Sequence, residues 1–273
     1  MEIKRVCAVF WSPTGNTAKL VISAARAAAK RLDCPLQEIN ITLIAMDEKE
    51  YSFTETDLVF LGTPTYAGRV PNKLAPLLRQ RLHGGGAPAA GLVTFGNRGY
   101  DNALCELCAV LEGDGFRTVS AAAFACRHAF TDTLGTGRPD WDDLRESEQI
   151  GKLTAEKVNG FTDLPAPVRV PGDPDAPYYV PLGTDGLPAK FLKARPVTDP
   201  GRCCGCGLCA RICPMGAIDP KNVFETPGVC IKCQACVRRC TRHAKHFDDP
   251  AFLSHVAMLE REFIRPKENE VFW

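Results

Sequence analysis

Eight cysteines near the end of the chain carry the strongest chemical signal. Cys203, Cys206, Cys209 and Cys213 are separated by two, two and three residues, and Pro214 follows. Cys230, Cys233, Cys236 and Cys240 repeat that spacing 27 residues later, with Thr241 in the place of the proline. Soft thiolates select zinc or iron–sulfur chemistry over hard cations. Three thiolates at two-residue intervals can wrap a tight loop around one cubane and reach three of its irons. Structural zinc instead favours well-separated cysteine pairs, four ligands to a metal. The doubled run therefore points to two 4Fe–4S clusters. A disulfide framework suits a small secreted chain rather than this one. Thr241 leaves the ligand set intact, because a proline there shapes backbone only. Cys204 lies off the spacing and reads as a small loop residue; Cys7, Cys34, Cys105, Cys108 and Cys126 read as small apolar fillers.

The spacing, including the proline after Cys213, resembles the bacterial ferredoxin run, in which the fourth cysteine of each run ligates the other cluster. The resemblance implies one cluster on Cys203, Cys206, Cys209 and Cys240, and the other on Cys230, Cys233, Cys236 and Cys213. Residues 201–247 also hold eight Lys and Arg side chains against Asp219 and Glu225. Most of that surplus is expected to offset the anionic clusters, with docking of an acidic partner as the weaker companion reading.

Three loops in the first half could hold a second group. Ser12-Pro13-Thr14-Gly15-Asn16-Thr17 gathers hydroxyls, a glycine and backbone amides ahead of an Ala-rich helical stretch, which suits a phosphate at a helix N-terminus. It lacks the lysine of a nucleotide P-loop and the three glycines of a dinucleotide fingerprint. Gly62-Thr63-Pro64-Thr65-Tyr66-Ala67-Gly68 and Phe95-Gly96-Asn97-Arg98-Gly99-Tyr100-Asp101 follow two later apolar runs. Taken singly, Tyr66 and Tyr100 would read as packing beside turns, Trp11 as a strand-end core residue, and His128 as a satisfied loop histidine.

The elements that must position these loops alternate. Strands are expected over 6–11, 36–43, 58–61, 90–95 and 119–125. Helices are expected from 16 to about 32, from Pro71 onward, over 102–112 with Asp101 as cap, and over 141–158 with Asp140 as cap. That order predicts a five-stranded, doubly wound parallel sheet, whose ligands sit beyond the carboxyl ends of the strands. All three loops fall at that edge. Together they resemble the flavodoxin pattern. The resemblance implies FMN, with Ser12, Thr14, Gly15, Asn16 and Thr17 around its phosphate. Pro64, Thr65, Tyr66 and Gly68 would meet the ring from one loop, and Phe95, Gly96, Asn97, Tyr100 and Asp101 from the other.

The chain as a whole resembles the flavodoxin–ferredoxin fusion family: a flavodoxin-like FMN domain over 1–160, a Pro-rich connector over 161–200, an α+β two-cluster ferredoxin-like domain over 201–249, and a C-terminal helix and tail over 250–273. In the connector, 178–181 and 190–194 could pair as a hairpin around Gly183-Thr184-Asp185-Gly186. The resemblance implies electron transfer among two 4Fe–4S clusters, FMN and redox partner proteins. The rivals are a flavin-dependent reductase of a quinone or enone, with His128 and Tyr66 as pocket walls, and a redox-sensing module. The totals agree with a soluble globular protein: 273 residues, 45% apolar, 24% charged and a net charge of +1. Nothing in them points to nucleic acid or an anionic membrane, and no apolar run reaches the ~18 residues of a span. The chain starts without a signal peptide and ends without a lipidation signal, so a cytoplasmic location is expected. Oligomeric state is left open, a homodimer included.

Overall fold

A computed structural model describes residues 2–159 and 166–273. The alternation predicted for the first half is present as β1 (Arg5–Phe10), α1 (Asn16–Leu32), β2 (Leu36–Asn40), β3 (Asp57–Pro64), α2 (Ala75–Arg81), β4 (Pro88–Phe95), α3 (Ala103–Gly113), β5 (Arg117–Ala125) and α4 (Trp141–Asn159). These strands run parallel in the order β2-β1-β3-β4-β5, the doubly wound order of a flavodoxin-like fold. Successive side chains of a strand face opposite ways, and β1 shows the consequence. Val6, Ala8 and Phe10 enter the core under α1 and α4, whereas Cys7, Val9 and Trp11 enter the core under α3.

Several boundaries differ from expectation for local reasons. β2 stops at Asn40 rather than 43, because the Asn40 side chain takes the Thr42 N–H at 3.0 Å and turns the chain. The helix expected at Pro71 begins at Ala75. Pro71 O accepts from Leu74 N and Ala75 N, and Pro76 then occupies the first helical turn. A continuous helix from Pro71 would put the Pro76 ring against the carbonyl of Asn72. Asp101 does not cap α3: its carboxylate is drawn to the Arg98 guanidinium, and Asn102 stands at the cap with its Oδ1 accepting from Asp173 N instead of from the helix. Asp140 does cap α4, its Oδ1 accepting from Asp142 N and Asp143 N.

The sheet has a sixth strand. β6 (Glu270–Phe272), from the chain's end, pairs antiparallel with the outer edge of β5, and Asn269 Oδ1 takes the Ala125 N–H at 3.0 Å. This capping of an open edge corrects the five-strand expectation. The predicted hairpin forms only at its tip, where Gly183 N donates to Leu187 O and Ala189 N to Pro181 O. Its first arm is drawn away by the N-terminal domain: Tyr179 N donates to Ala67 O and the Tyr178 hydroxyl to Val70 O. The boundary expected at 160 and the connector's first residues, through Pro165, lie outside the described residues.

The cysteine region holds two one-turn helices, α5 (Leu208–Arg211) and α6 (Ala235–Arg238), and a short antiparallel ladder between Val197–Thr198 and Lys245–His246. α7 (Pro250–Glu262) follows, capped by Asp249 on the Phe252 N–H. Its Phe252, Met258 and Leu259 pack with Phe247 of the cysteine region, Phe191 of the connector, and Phe130 and Leu134 of the N-terminal domain. Among the described residues, no helix is long and apolar enough to cross a membrane.

Candidate functional site

The 27-residue repeat is geometric as well as sequential. Gly205, Gly207 and Gly216 have positive φ, and so do Lys232, Gln234 and His243, each 27 residues further on. The second set has no glycine, so non-glycine side chains are held in the left-handed region, a strain typical of ligand loops. Cys213 Sγ accepts from Ala217 N and Cys240 Sγ from Ala244 N, both at 3.3 Å. One fold unit has therefore been laid down twice.

Each unit borders a recess. Both recesses are open to solvent, and one, of about 420 Å³, is lined by Cys203, Cys206, Cys209 and Cys240, with Cys204 and Cys236 also on its wall. The other, of about 360 Å³, is lined by Cys213, Cys230, Cys233 and Cys236. Each recess thus meets three cysteines of one run and the last cysteine of the other. Among the described residues, no three His, Cys, Asp or Glu side chains converge where a single metal ion could sit. Sulfurs spread around a recess suit a polynuclear group better than one ion. The Leu208 amide, with the Cys204 thiol, holds the exposed Cys206 thiol below its ordinary value.

At the sheet's carboxyl edge, Gly15 precedes α1 in the left-handed region and supplies no side-chain cap. Ser12 Oγ takes the Ala18 N–H at 3.0 Å. No protein acceptor among the described residues takes the amides of Asn16 or Thr17. Thr14 lies half-buried in this loop. Thr17 is spent inward, its hydroxyl 2.8 Å from that of Thr94.

In the second loop, Pro64 ends β3, and Tyr66 and Arg69 pair across a tight backbone turn that includes Gly68. The Tyr66 ring meets Trp11 edge-on at 5.8 Å. In the third loop, Phe95 and Tyr100 rings pack at 5.5 Å and the Tyr100 hydroxyl donates to Glu270. Asp101 lies against Gly68, whose missing side chain makes room for it. Asn97, buried and at positive φ, spends its side chain on the chain's end: Nδ2 donates to Phe263 O and Arg265 O, and Oδ1 accepts from Lys267 N.

The ring of His128 rests on the α-carbon of Gly96. Its burial, with His255, Arg238 and Arg98 nearby, pushes it down to about 3, so it is neutral. Nδ1 accepts from Phe130 N at 3.1 Å, which leaves the proton on Nε2.

Two buried side-chain oxygens among the described residues have no partner, Thr65 Oγ1 and Thr226 Oγ1. Buried polar groups are rarely left unpaired. Thr65 sits beside Tyr66 in the second loop, and Thr226 lines the recess of Cys213, Cys230, Cys233 and Cys236. Both orphans stand where the sequence calls for a group the chain itself does not supply.

The two halves meet at this edge. Cys233 and Ala235 join the N-terminal domain's core cluster, in which Ile231, Ile212 and Tyr66 are partly buried. Burial, with Cys233 and Cys230 close by, raises the Tyr66 phenol well above its ordinary value. Arg238 locks the contact, donating to the carbonyls of His128, Ala129 and Thr131 and pairing with Asp132. Arg238 had read as part of a general charge surplus; its interdomain role was not legible. A second unforeseen pair is Arg69 with Glu106, 2.7 Å apart and both buried. Glu106 interrupts the apolar stripe of α3, and that isolated charge is the signal that could have revealed it.

A family model described as a 4Fe–4S binding domain matches residues 196–219. No curated protein matches the chain. Among solved structures, the chain is similar to a flavodoxin from the domain Archaea, with 17% identity over 57% of this chain and 99% of that one and a TM-score of 0.43. It is similar to an apo NADH:FMN oxidoreductase, with 20% identity over 58% of this chain and 92% of that one and a TM-score of 0.42. A flavodoxin of Streptococcus pneumoniae TIGR4 shares 20% identity over 56% of this chain and 99% of that one, with a TM-score of 0.39.

Proposed function

We propose that this chain, in which a flavodoxin-like fold is joined to a 4Fe–4S binding domain, is an electron carrier holding two 4Fe–4S clusters and one FMN. The observation that carries the reading is the seating of the Cys230–Cys233 loop against Tyr66, which brings one cysteine recess to the loops that would hold the flavin. When bound, the clusters supply one-electron and the flavin one- or two-electron chemistry. The chain's part is to hold them close and to exclude water between them. The amides of Asn16 and Thr17 would take the FMN phosphate. The Thr65 hydroxyl and the backbone of the Gly96–Asn97 turn would meet the ring system. Cys203, Cys206, Cys209 and Cys240 would hold one cluster, and Cys213, Cys230, Cys233 and Cys236 the other.

A carrier is favoured over a small-molecule reductase because the chain covers its own loops. Tyr179 N is bonded to Ala67 O, the Arg98 guanidinium lies over the Tyr179 ring at 4.1 Å, and the Asn97 side chain is taken by the C-terminal segment.

Anaerobic reconstitution followed by iron, sulfide and flavin analysis tests the reading. About eight irons, eight sulfides and one FMN per chain are expected from two four-iron clusters. Zinc, or about four irons, would overturn the two-cluster assignment, and a chain that retains no flavin would overturn the FMN assignment. Thr65→Val should act with opposite signs on the two forms. The flavin-free protein should gain on the order of 1 kcal/mol, since an unpaired buried hydroxyl is removed, while FMN affinity falls several-fold with the lost hydrogen bond. Thermal melts with and without FMN, together with a flavin titration, measure both.

A further inference from the structure

The cations in and beside the cysteine region differ in what holds them. Lys232, the one cation lining the second recess, is consumed by the carbonyls of Leu192 and Cys230, and elsewhere Arg238 is taken by the loop at 128–132 and Arg195 by the carbonyl of Gly228. Lys245 is buried, with Nζ on Val223 O at 2.6 Å. It lines the first recess and serves there as local compensation.

The rim of the first recess is different. Arg239 and Arg242 line it, are exposed, and have no hydrogen-bond or ion-pair partner among the described residues. Arg202 meets only Asp199, at 3.3 Å, and Arg211 spends one nitrogen on Cys206 O. Neither recess has an acidic lining residue, so the difference between them lies in the free cations at the rim. Cys206, which lines only this recess, is exposed, whereas Cys233, which lines only the other, is buried.

We propose that the first recess is the port at which an acidic one-electron carrier protein docks, the second being the station next to the N-terminal domain. The inference rests on the electron-carrier reading above and adds to it the order of the stations and the chemistry of the partner. Positive charge concentrated around an exposed opening steers an acidic surface toward it and fixes the encounter. The step would be a bare electron transfer: one electron would leave the partner's centre for the cluster that Cys203, Cys206, Cys209 and Cys240 would hold, with no bond or proton exchanged. In the reverse direction the same face would serve for delivery.

The test uses the reconstituted full chain, with a reduced acidic ferredoxin as the partner probe and a small cationic viologen radical as the control reductant, in stopped flow over a range of salt. For Arg239→Glu/Arg242→Glu, the second-order rate with the acidic ferredoxin at low salt should fall about tenfold or more and lose its salt dependence. The viologen rate should not fall. Arg239→Gln/Arg242→Gln, which only neutralises the rim, should lie in between, and Lys30→Glu/Lys152→Glu on distant exposed helix faces should leave the rate unchanged. Iron content and the cluster EPR signal of each variant report intact recesses. A rim variant with full iron and an unchanged rate would overturn the proposal, as would an equal loss in the Lys30/Lys152 variant. If the iron-loaded, unaltered protein accepts no electron from the viologen radical or from a stronger low-potential reductant, the carrier reading itself fails, and the port with it.

Discussion

Cys240→Ala is expected to empty the first recess, although Cys240 belongs to the second cysteine run. Cys240 lines that recess with Cys203, Cys206 and Cys209, while Cys213 lines the other with Cys230, Cys233 and Cys236. A 4Fe–4S cluster offers four irons to four thiolates, so either single change should reduce bound iron from about eight per chain to about four. Two double variants separate crossed from in-line ligation. Cys206→Ala/Cys240→Ala removes two ligands of one recess and should retain about four irons, whereas Cys206→Ala/Cys213→Ala strikes both recesses and should leave almost none. In-line ligation demands the reverse pair of results. Iron analysis with EPR of the reduced protein decides between them, and the reverse outcome would discard the crossed assignment.

Arg69→Met should be the most costly single change in the N-terminal domain. Arg69 and Glu106 are 8% and 5% exposed, and the Glu106 carboxylate accepts from both the Arg69 side chain and the Val70 amide. Taking away the guanidinium strands a buried carboxylate, a defect worth about 3–5 kcal/mol, a large part of the ~5–15 kcal/mol that holds an ordinary domain together. Arg69 also donates to Pro174 O at 2.5 Å and lies over the Tyr178 ring at 5.3 Å. The change should therefore loosen the connector and the Tyr66 turn as well. Urea unfolding should show the loss, and Arg69→Met/Glu106→Gln should recover part of it by removing the stranded charge. A single variant within about 1 kcal/mol of the unaltered protein would show that the pair contributes far less than buried pairs do.

The elements most legible in sequence were those with a local cause. Asp140 stands where a cap was expected, with α4 immediately after it, and α7 begins at the expected Pro250, capped by Asp249, which the sequence reading had not singled out. The apolar runs of β1, β3, β4 and β5 are buried on both faces, so they read as near-continuous hydrophobic segments. Errors arose where another partner competed for a group that a local pattern would have used. Arg98 draws Asp101 away from its capping role, Ala67 takes the Tyr179 amide that the hairpin arm would have used, and β5 accepts a strand from the far end of the chain. Arg98 is a near neighbour of Asp101, three residues away, whereas Ala67 and the C-terminal strand lie far along the chain from the groups they take, so no local pattern carries those two.

The candidate site divides in the same way. Spacing alone determined which eight cysteines form two runs and which three loops belong to one sheet edge, because loop closure around a cubane and the alternation of strand and helix are short-range constraints. Tertiary structure decided what stands beside what. It drew Cys240 into the first recess and Cys213 into the second, set Tyr66 against Cys233, and spent Arg238 on an interdomain contact while leaving Arg239 exposed. Arg238 and Arg239 are chemically identical neighbours, but the end of a one-turn helix directs them to different surroundings. One becomes an anchor and the other part of a docking rim, because a side chain's role depends on which face the packed chain turns toward solvent.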